Sequence, residues 1–323
     1  MASYLVTGAA GFIGSSIAHE LVRRGERVRG IDNFETGNQE NIAQILDRLD
    51  FQEVDILDYP RLRKALTGID CVFHQAALPS VPLSVAEPSR THNININGTL
   101  NVLLAAREAK VRRVVYAASS SAYGETPTLP KQEDMRPNPV SPYAVQKLTG
   151  EYYMHCFAKV YGLETVCLRY FNVFGPRQAP GSPYSGVIAK FITNMLEGVS
   201  PTIFGDGEQS RDFTYVDNAV QANLLAATAP PEAVLGQTFN VGAGRQVSLN
   251  QTFQALREII GFQGVVKYAP PRVGDVKHSL ADISRAKRAL TYSPTVDFEE
   301  GLRRTVAWYK LGVHSARAVS DSR

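Results

Sequence analysis

Ser119, Ser120 and Ser121 close the apolar run "VRRVVYAAS", and Tyr143 and Lys147 follow a proline-rich loop, four residues apart in "SPYAVQKL". Ser141 is a favoured N-cap and Pro142 a favoured first helical residue. The pattern therefore predicts a helix that begins there and carries Tyr143 and Lys147 on one face, a turn apart. A free tyrosine titrates at about 10, and bringing it to about 7 takes roughly 4 kcal/mol. A nearby ammonium group, joined by a second positive charge, lowers a phenol in this way. The resulting phenolate is a general base for a hydroxyl. Serine hydroxyls at the end of the strand would orient the oxygen that loses its proton.

The second positive charge has a source upstream. In "TGAAGFIG", Gly8, Gly11 and Gly14 are spaced by threes between a strand and the start of a helix. Gly8 permits the tight turn, Gly11 lets a pyrophosphate approach the backbone, and Gly14 allows the helix to pack closely on the sheet. A glycine triplet alone is a weak signal. The strand before it, the helix after it and an acid at the end of the next strand, Asp32 in "RGIDN", make a dinucleotide site. The Asp32 carboxylate would accept both ribose hydroxyls of an adenosine and repel a 2′-phosphate, which favours NAD over NADP. A nicotinamide ring is the cation, and beside it Ser, Tyr and Lys form a proton-abstracting site next to a hydride acceptor.

The elements that must position these groups follow a βαβ rhythm. "SYLVTG", "RVRGID", "FQEVDI", "CVFHQAA" and "VRRVVYAAS" read as buried parallel strands, each followed by a segment of helical length. The expected fold class is α/β, a Rossmann-type doubly wound parallel sheet with a smaller C-terminal α/β substrate domain, with ligands at the carboxyl ends of the strands. We expect the NAD-binding domain over 1–170 and the substrate domain over 171–323. The segment at about 211–240 has the option of packing back on the first domain.

Bulk properties exclude other classes. The chain has 323 residues, 44% apolar and 20% charged, which is ordinary for a globular protein of two domains. No apolar run reaches the roughly 20 residues of a bilayer span, so no membrane role is expected. The first residues enter a strand pattern at once, without a basic stretch followed by a cleavable apolar run, and a cytoplasmic protein is expected. Cys71, Cys156 and Cys167 are far apart, and the six histidines show no paired metal spacing, so neither disulfides nor a metal are expected. The formal charge of +3 is weak, and the arginine clusters lack interleaved aromatics, so no nucleic-acid partner is expected.

"TGAAGFIG", "HQAA", "NINGT", "SSSAYG", "YAVQK" and "LRYFNVFGPRQ", in this order over nearly the whole chain, resemble the extended short-chain dehydrogenase/reductase superfamily, specifically the nucleotide-sugar 4-epimerases. That resemblance implies that Ser119, counted back from Tyr123-Gly124, is the catalytic serine beside Tyr143 and Lys147. It places Phe12, Ile13, Asn33 and Tyr170 at the cofactor, has Asp55 and Ile56 face the adenine, and lines the cofactor with Ala76, Ala77 and Asn95. For a UDP-sugar it implies Ser121 and Asn172 on the sugar and diphosphate, Arg211 and Arg272 on the phosphates, Phe204 on the uracil and Asp275 on its ribose. Ser80, Gln178 and Val187 complete the substrate site. The mechanism it implies has no net redox: Tyr143 takes the 4-hydroxyl proton as the C4 hydride passes to NAD, the 4-keto sugar swings about its diphosphate, and the hydride returns to the opposite face.

The resemblance also separates relatives. Sugar-nucleotide 4,6-dehydratases carry an acidic pair after the catalytic Ser/Thr, where this chain has Ser120 and Ser121. Enzymes acting on uronic acids tend to carry threonine at the place of Asn172 and an arginine just past "GPRQ", where Ala179 and Pro180 stand here. A non-catalytic dinucleotide sensor of the same fold would lack the Tyr/Lys pair. Pro79 occupies a place often filled by glycine. In plain-hexose epimerases a tyrosine stands two residues before the Ala-Asp of "VKHSLADIS", and here that residue is Ser279. The implied preference is for UDP-N-acetylglucosamine and its galacto epimer, with UDP-glucose/UDP-galactose and UDP-glucuronate as alternatives. A homodimer is implied through two long helices, about Ser89–Ala109 and Pro142–Tyr161.

Overall fold

Alternation of buried side chains along short β-branched runs builds the centre of the molecule. The computed structural model describes residues 2–179, 186–271 and 277–320, with side chains described up to 311. Strands β1 (Ser3–Thr7), β2 (Arg27–Asp32), β3 (Asp50–Glu53), β4 (Cys71–His74), β5 (Arg113–Ser119), β6 (Glu164–Tyr170) and β7 (Gln237–Val241) form one parallel sheet in the order 7-6-5-4-1-2-3. The order reverses between β1 and β4, the switch point at which such sheets open a crevice at their carboxyl edge.

Tyr4 and Val6 of β1 pack into one core with Phe73 and Val115, while Leu5 faces a second core with Val72 and Val114 on the other side of the sheet. Helix α1 (Phe12–Arg23) covers the first face through Ile17 and Leu21. On the second face lie α2 (Thr99–Glu108), through Val102 and Leu103, and α3 (Pro142–Tyr161), through Met154 and Phe157. Helix α4 (Val216–Thr228) returns to the first face beside α1, and β7 then pairs with β6. Short strand pairs make up the rest: Val173–Phe174 with Thr214–Tyr215, Thr202–Phe204 with Lys267–Ala269, and Ser210–Arg211 with Val247–Ser248.

The helix expected at about Ser89–Ala109 is three pieces. Pro88–His92 is α-helical, Asn93–Gly98 is a π-helical turn, and α2 completes it. The wider turn carries Asn95 inward, where its carboxamide bonds Leu78 and Gln146. Helix α3 begins as its caps dictate: Pro142 needs no N–H partner, the Ser84 hydroxyl accepts from the Tyr143 N–H at 3.0 Å, and Ser141 Oγ accepts from the Ala144 N–H at 3.2 Å. Among the described residues, no helix is long and apolar enough to cross a membrane.

Candidate active site

A cavity of about 1560 Å³ runs along the carboxyl edge of the sheet. That exceeds the roughly 300–1,000 Å³ of a single small-ligand pocket, and leaves room for two nucleotides.

One part of it is a cradle for a dinucleotide. Gly8 has φ +67°, and a Cβ there would lie 2.9 Å from the Ala76 backbone. At Gly14 a Cβ would lie 2.0 Å from the Gly8 carbonyl oxygen, so only glycine lets α1 start this close to the turn. Asp32 is buried at the end of β2, with Oδ2 accepting from the Ala10 N–H at 2.9 Å and Oδ1 from the Phe34 N–H at 2.8 Å. Burial raises its pKa and these amides oppose the rise. Each oxygen keeps a lone pair for a hydroxyl in the cavity, and the bare glycine backbone at the start of α1 suits a pyrophosphate. These residues fit NAD. Asp55 and Ile56 line the same cavity, and the Asp55 carboxylate already accepts from Asn33 Nδ2 at 2.9 Å and the Leu57 N–H at 2.8 Å.

Ser119, Tyr143 and Lys147 line the middle of the edge, brought there by β5 and α3. Ser119 Oγ accepts from the Ser121 N–H at 3.2 Å and from Ser121 Oγ at 2.8 Å. A hydroxyl with both acceptor sites taken is left to donate its own proton. Burial raises the Tyr143 pKa and the hydrogen bond with Ser119 opposes it. Burial brings the Lys147 ammonium down to about 8, against the pull of the Glu151 carboxylate. Lys147 therefore remains mostly charged near neutrality, on the face that carries Tyr143.

Of the other expected residues, Phe12, Ile13, Asn33, Ala76, Ala77 and Tyr170 line the cavity around the cradle. Ser80, Ser121, Asn172, Gln178, Arg211 and Ser279 line it beyond the serines. Ser80 is also the N-cap of Val81–Ala86, its Oγ accepting from the Leu83 N–H at 3.0 Å. Arg211 Nη1 donates to the carbonyls of Ser210 and Lys277, which aims its loop at that of Ser279.

Three expectations differ from the structure. Asn95 does not line the cavity: it is 1% exposed, and its carboxamide is spent on Leu78 and Gln146, so it holds the loop before Ser80 in place. Val187 starts a helix, Val187–Leu196, and packs against the first core. Phe204 ends the strand paired with Lys267–Ala269 and is not among the described residues that line the cavity. Arg272 and Asp275 lie outside the described residues.

The structure adds a buried group that residue spacing did not single out. His74, fully buried at the end of β4, meets Thr7 Oγ1 through Nδ1 at 2.8 Å and Thr99 Oγ1 through Nε2 at 3.0 Å. Thr99 donates to the Asn95 carbonyl, so it accepts from Nε2–H, and Thr7 donates to Nδ1. Thr7 Oγ1 in turn accepts from the N–H groups of Gln75 and Ala76, which sets the chain opposite Gly8. Burial lowers the His74 pKa to about 3. The only sequence signal was its place in "HQAA".

Comparison with known proteins settles the family. Residues 4–242 match the NAD dependent epimerase/dehydratase family. The chain belongs to that family. The UDP-glucose 4-epimerase of Mycolicibacterium smegmatis is 38% identical over 95% of this chain and 98% of its own. The UDP-glucose 4-epimerase of Thermotoga maritima, solved with UDP-glucose, is 40% identical with a TM-score of 0.91, covering 96% of this chain and 99% of that one. A UDP-N-acetylglucosamine 4-epimerase from Methanobrevibacter ruminantium is 43% identical with a TM-score of 0.92 over the same shares. Within its family this chain is an isomerase, an NAD-dependent UDP-sugar 4-epimerase.

Proposed function

We propose that the enzyme interconverts UDP-N-acetylglucosamine and UDP-N-acetylgalactosamine. The observation that carries this reading is Ser279, a small side chain on the cavity wall beside the Arg211 loop. A hydroxymethyl there leaves space for a C2 acetamido group, and its hydroxyl offers that group a hydrogen bond. The similarity to a solved UDP-N-acetylglucosamine 4-epimerase supports it. The comparable similarity to UDP-glucose 4-epimerases favours a second reading, the plain hexoses, which the same space would also admit.

Bound NAD, in the cradle of Gly8, Gly11, Gly14 and Asp32, supplies the hydride acceptor and afterwards the donor. Burial by itself favours the protonated Tyr143 phenol; with the Lys147 charge and a bound nicotinamide beside it, Tyr143 acts as the phenolate, taking the proton of the sugar 4-hydroxyl while Ser119 donates to the same oxygen. Lys147 lends positive charge to the phenolate. In the return step Tyr143 gives the proton back to the 4-oxygen of the turned sugar, so proton and hydride both balance. Arg211 holds the diphosphate about which the sugar turns, charge against charge.

We assign the cofactor to residues 1–170 and the UDP-sugar mainly to 171–323. The exposed Val145 and Tyr152, seven residues apart on α3, support a homodimer through that helix. Light scattering on the purified protein tests it. Separate incubations with UDP-N-acetylglucosamine, UDP-glucose and UDP-glucuronate, with products read by anomeric NMR, test the substrate. Turnover of the acetylated sugar at the highest kcat/KM is expected. A strong preference for UDP-glucose or UDP-glucuronate would overturn the assignment.

A further inference from the structure

Lys147 is 4% exposed, and among the described residues none accepts a hydrogen bond from its ammonium. Below it lies an aromatic face: Nζ is 4.6 Å from the centroid of the Tyr116 ring. Tyr116 is on β5, 1% exposed, and is itself fixed from several sides. The His74 ring lies 5.6 Å from it at 32°, and its hydroxyl donates to the Lys147 carbonyl at 3.4 Å. Helix α3 carries Gly150 where it crosses Tyr116, and a Cβ there would lie 2.2 Å from the Tyr116 hydroxyl oxygen. Glycine inside a helix is unfavourable relative to alanine. Here it is what lets the ring sit under the first turns of α3, directly below the lysine.

We infer that Tyr116 is a positioning residue for the reaction: its ring face holds the Lys147 ammonium at the cavity floor and keeps it charged beside Tyr143. A desolvated cation is attracted by the quadrupole of an aromatic face, which offsets part of the cost of burying an ammonium. The other groups around Lys147 leave this role open. On its own helix, Glu151 is committed to Arg169 of β6, with Arg169 Nη2 to Oε2 at 2.8 Å and Nε to Oε1 at 2.9 Å, and Tyr143 is turned toward Ser119. Cys167 on β6 is a buried thiol whose pKa burial raises, and His74 on β4 is held neutral. The Tyr116 face is thus the neighbour that favours the charge without being neutralised by another partner.

This inference rests on Lys147 working beside Tyr143. The test reads Lys147 directly and without substrate, so it stands apart from which sugar is used. Full-length protein is labelled at lysine Cε with carbon-13, the Lys147 resonance is identified by its loss in Lys147→Arg, and its titration midpoint is measured. In Tyr116→Phe, which keeps the ring face and loses the hydroxyl, the midpoint should stay within a few tenths of a unit of wild type. In Tyr116→Leu it should fall by roughly one unit. Trifluorophenylalanine at position 116 has the size of phenylalanine and a weakened face, and should also lower the midpoint. It decides the matter if Tyr116→Leu does not fold. The alkaline limb of kcat should move in parallel, with KM unchanged. Equal midpoints in the phenylalanine and trifluorophenylalanine proteins, or a fall in Tyr116→Phe as large as that in Tyr116→Leu, would overturn the inference.

Discussion

Asp32→Asn separates the two tasks of the Asp32 carboxylate. In the structure both oxygens face backbone donors, Phe34 N–H at 2.8 Å and Ala10 N–H at 2.9 Å. An asparagine has one acceptor oxygen, so its amide NH₂ must face the other donor and leave it without a partner. A buried unsatisfied N–H costs about 1–3 kcal/mol, and part of that is offset because the buried carboxylate no longer has to be ionised. The apo protein should therefore lose about 1–2 kcal/mol, read as a lower urea midpoint at unchanged m-value. On the cofactor side, the ribose diol loses one charge-assisted acceptor worth roughly 1.5–3 kcal/mol, or about tenfold to a hundredfold in NAD affinity. Calorimetric titration of stripped protein measures this. The preference for NAD over NADP should narrow as well, since the charge that repels a 2′-phosphate is gone. Wild-type NAD affinity in a folded Asp32→Asn protein would show that the Asp32 carboxylate does not hold the ribose, and recovery of mostly NADP from the denatured wild-type enzyme would show that it does not exclude a 2′-phosphate.

Other perturbations address separate parts of the site. Ser279→Tyr should abolish turnover of the acetylated pair by steric clash while retaining some on UDP-glucose and UDP-galactose; an unchanged ratio in competition assays would remove Ser279 as the gate. His74 titrates at about 3 in the folded chain, below the unfolded value of about 6.5, so its contribution is complete above about 6.5 and is lost as pH falls toward 3. Between pH 7 and pH 5 that loss is about 2 kcal/mol, and urea midpoints should show it in wild type and not in His74→Gln. Ser119→Ala removes one donor to the 4-oxygen and should slow turnover less than loss of Tyr143 does, as steady-state kinetics with either sugar will show.

Much of the cofactor half was legible because it depends on local chemistry. The turn at Gly8, the acid ending β2 and the start of α3 at Ser141-Pro142 are set by residues within a few positions of one another. That residues 211–240 had the option of returning to the first domain was legible, but not that Gln237–Val241 becomes a strand of the sheet, because it joins β6 across more than sixty residues of intervening chain. The resemblance places Asn95 at the cofactor, yet the π-helical turn aims it at Leu78 and Gln146, and nothing in "NINGT" marks a change of helical pitch. Ser84 and His74 act through partners that only the tertiary fold supplies, the Tyr143 N–H and the Thr7 hydroxyl. The substrate side was the least legible, since Phe204 and Val187 are apolar residues whose place at a wall or in a core is decided by packing.

The central claim is that Tyr143 moves the proton of a UDP-sugar hydroxyl beside Ser119 and Lys147. Turnover of Tyr143→Phe, measured on protein shown to bind NAD and UDP-sugar as wild type does, tests it most directly. Turnover should fall about a hundredfold or more in kcat with KM little changed. Near-normal turnover in that variant would contradict it and place the base on another residue.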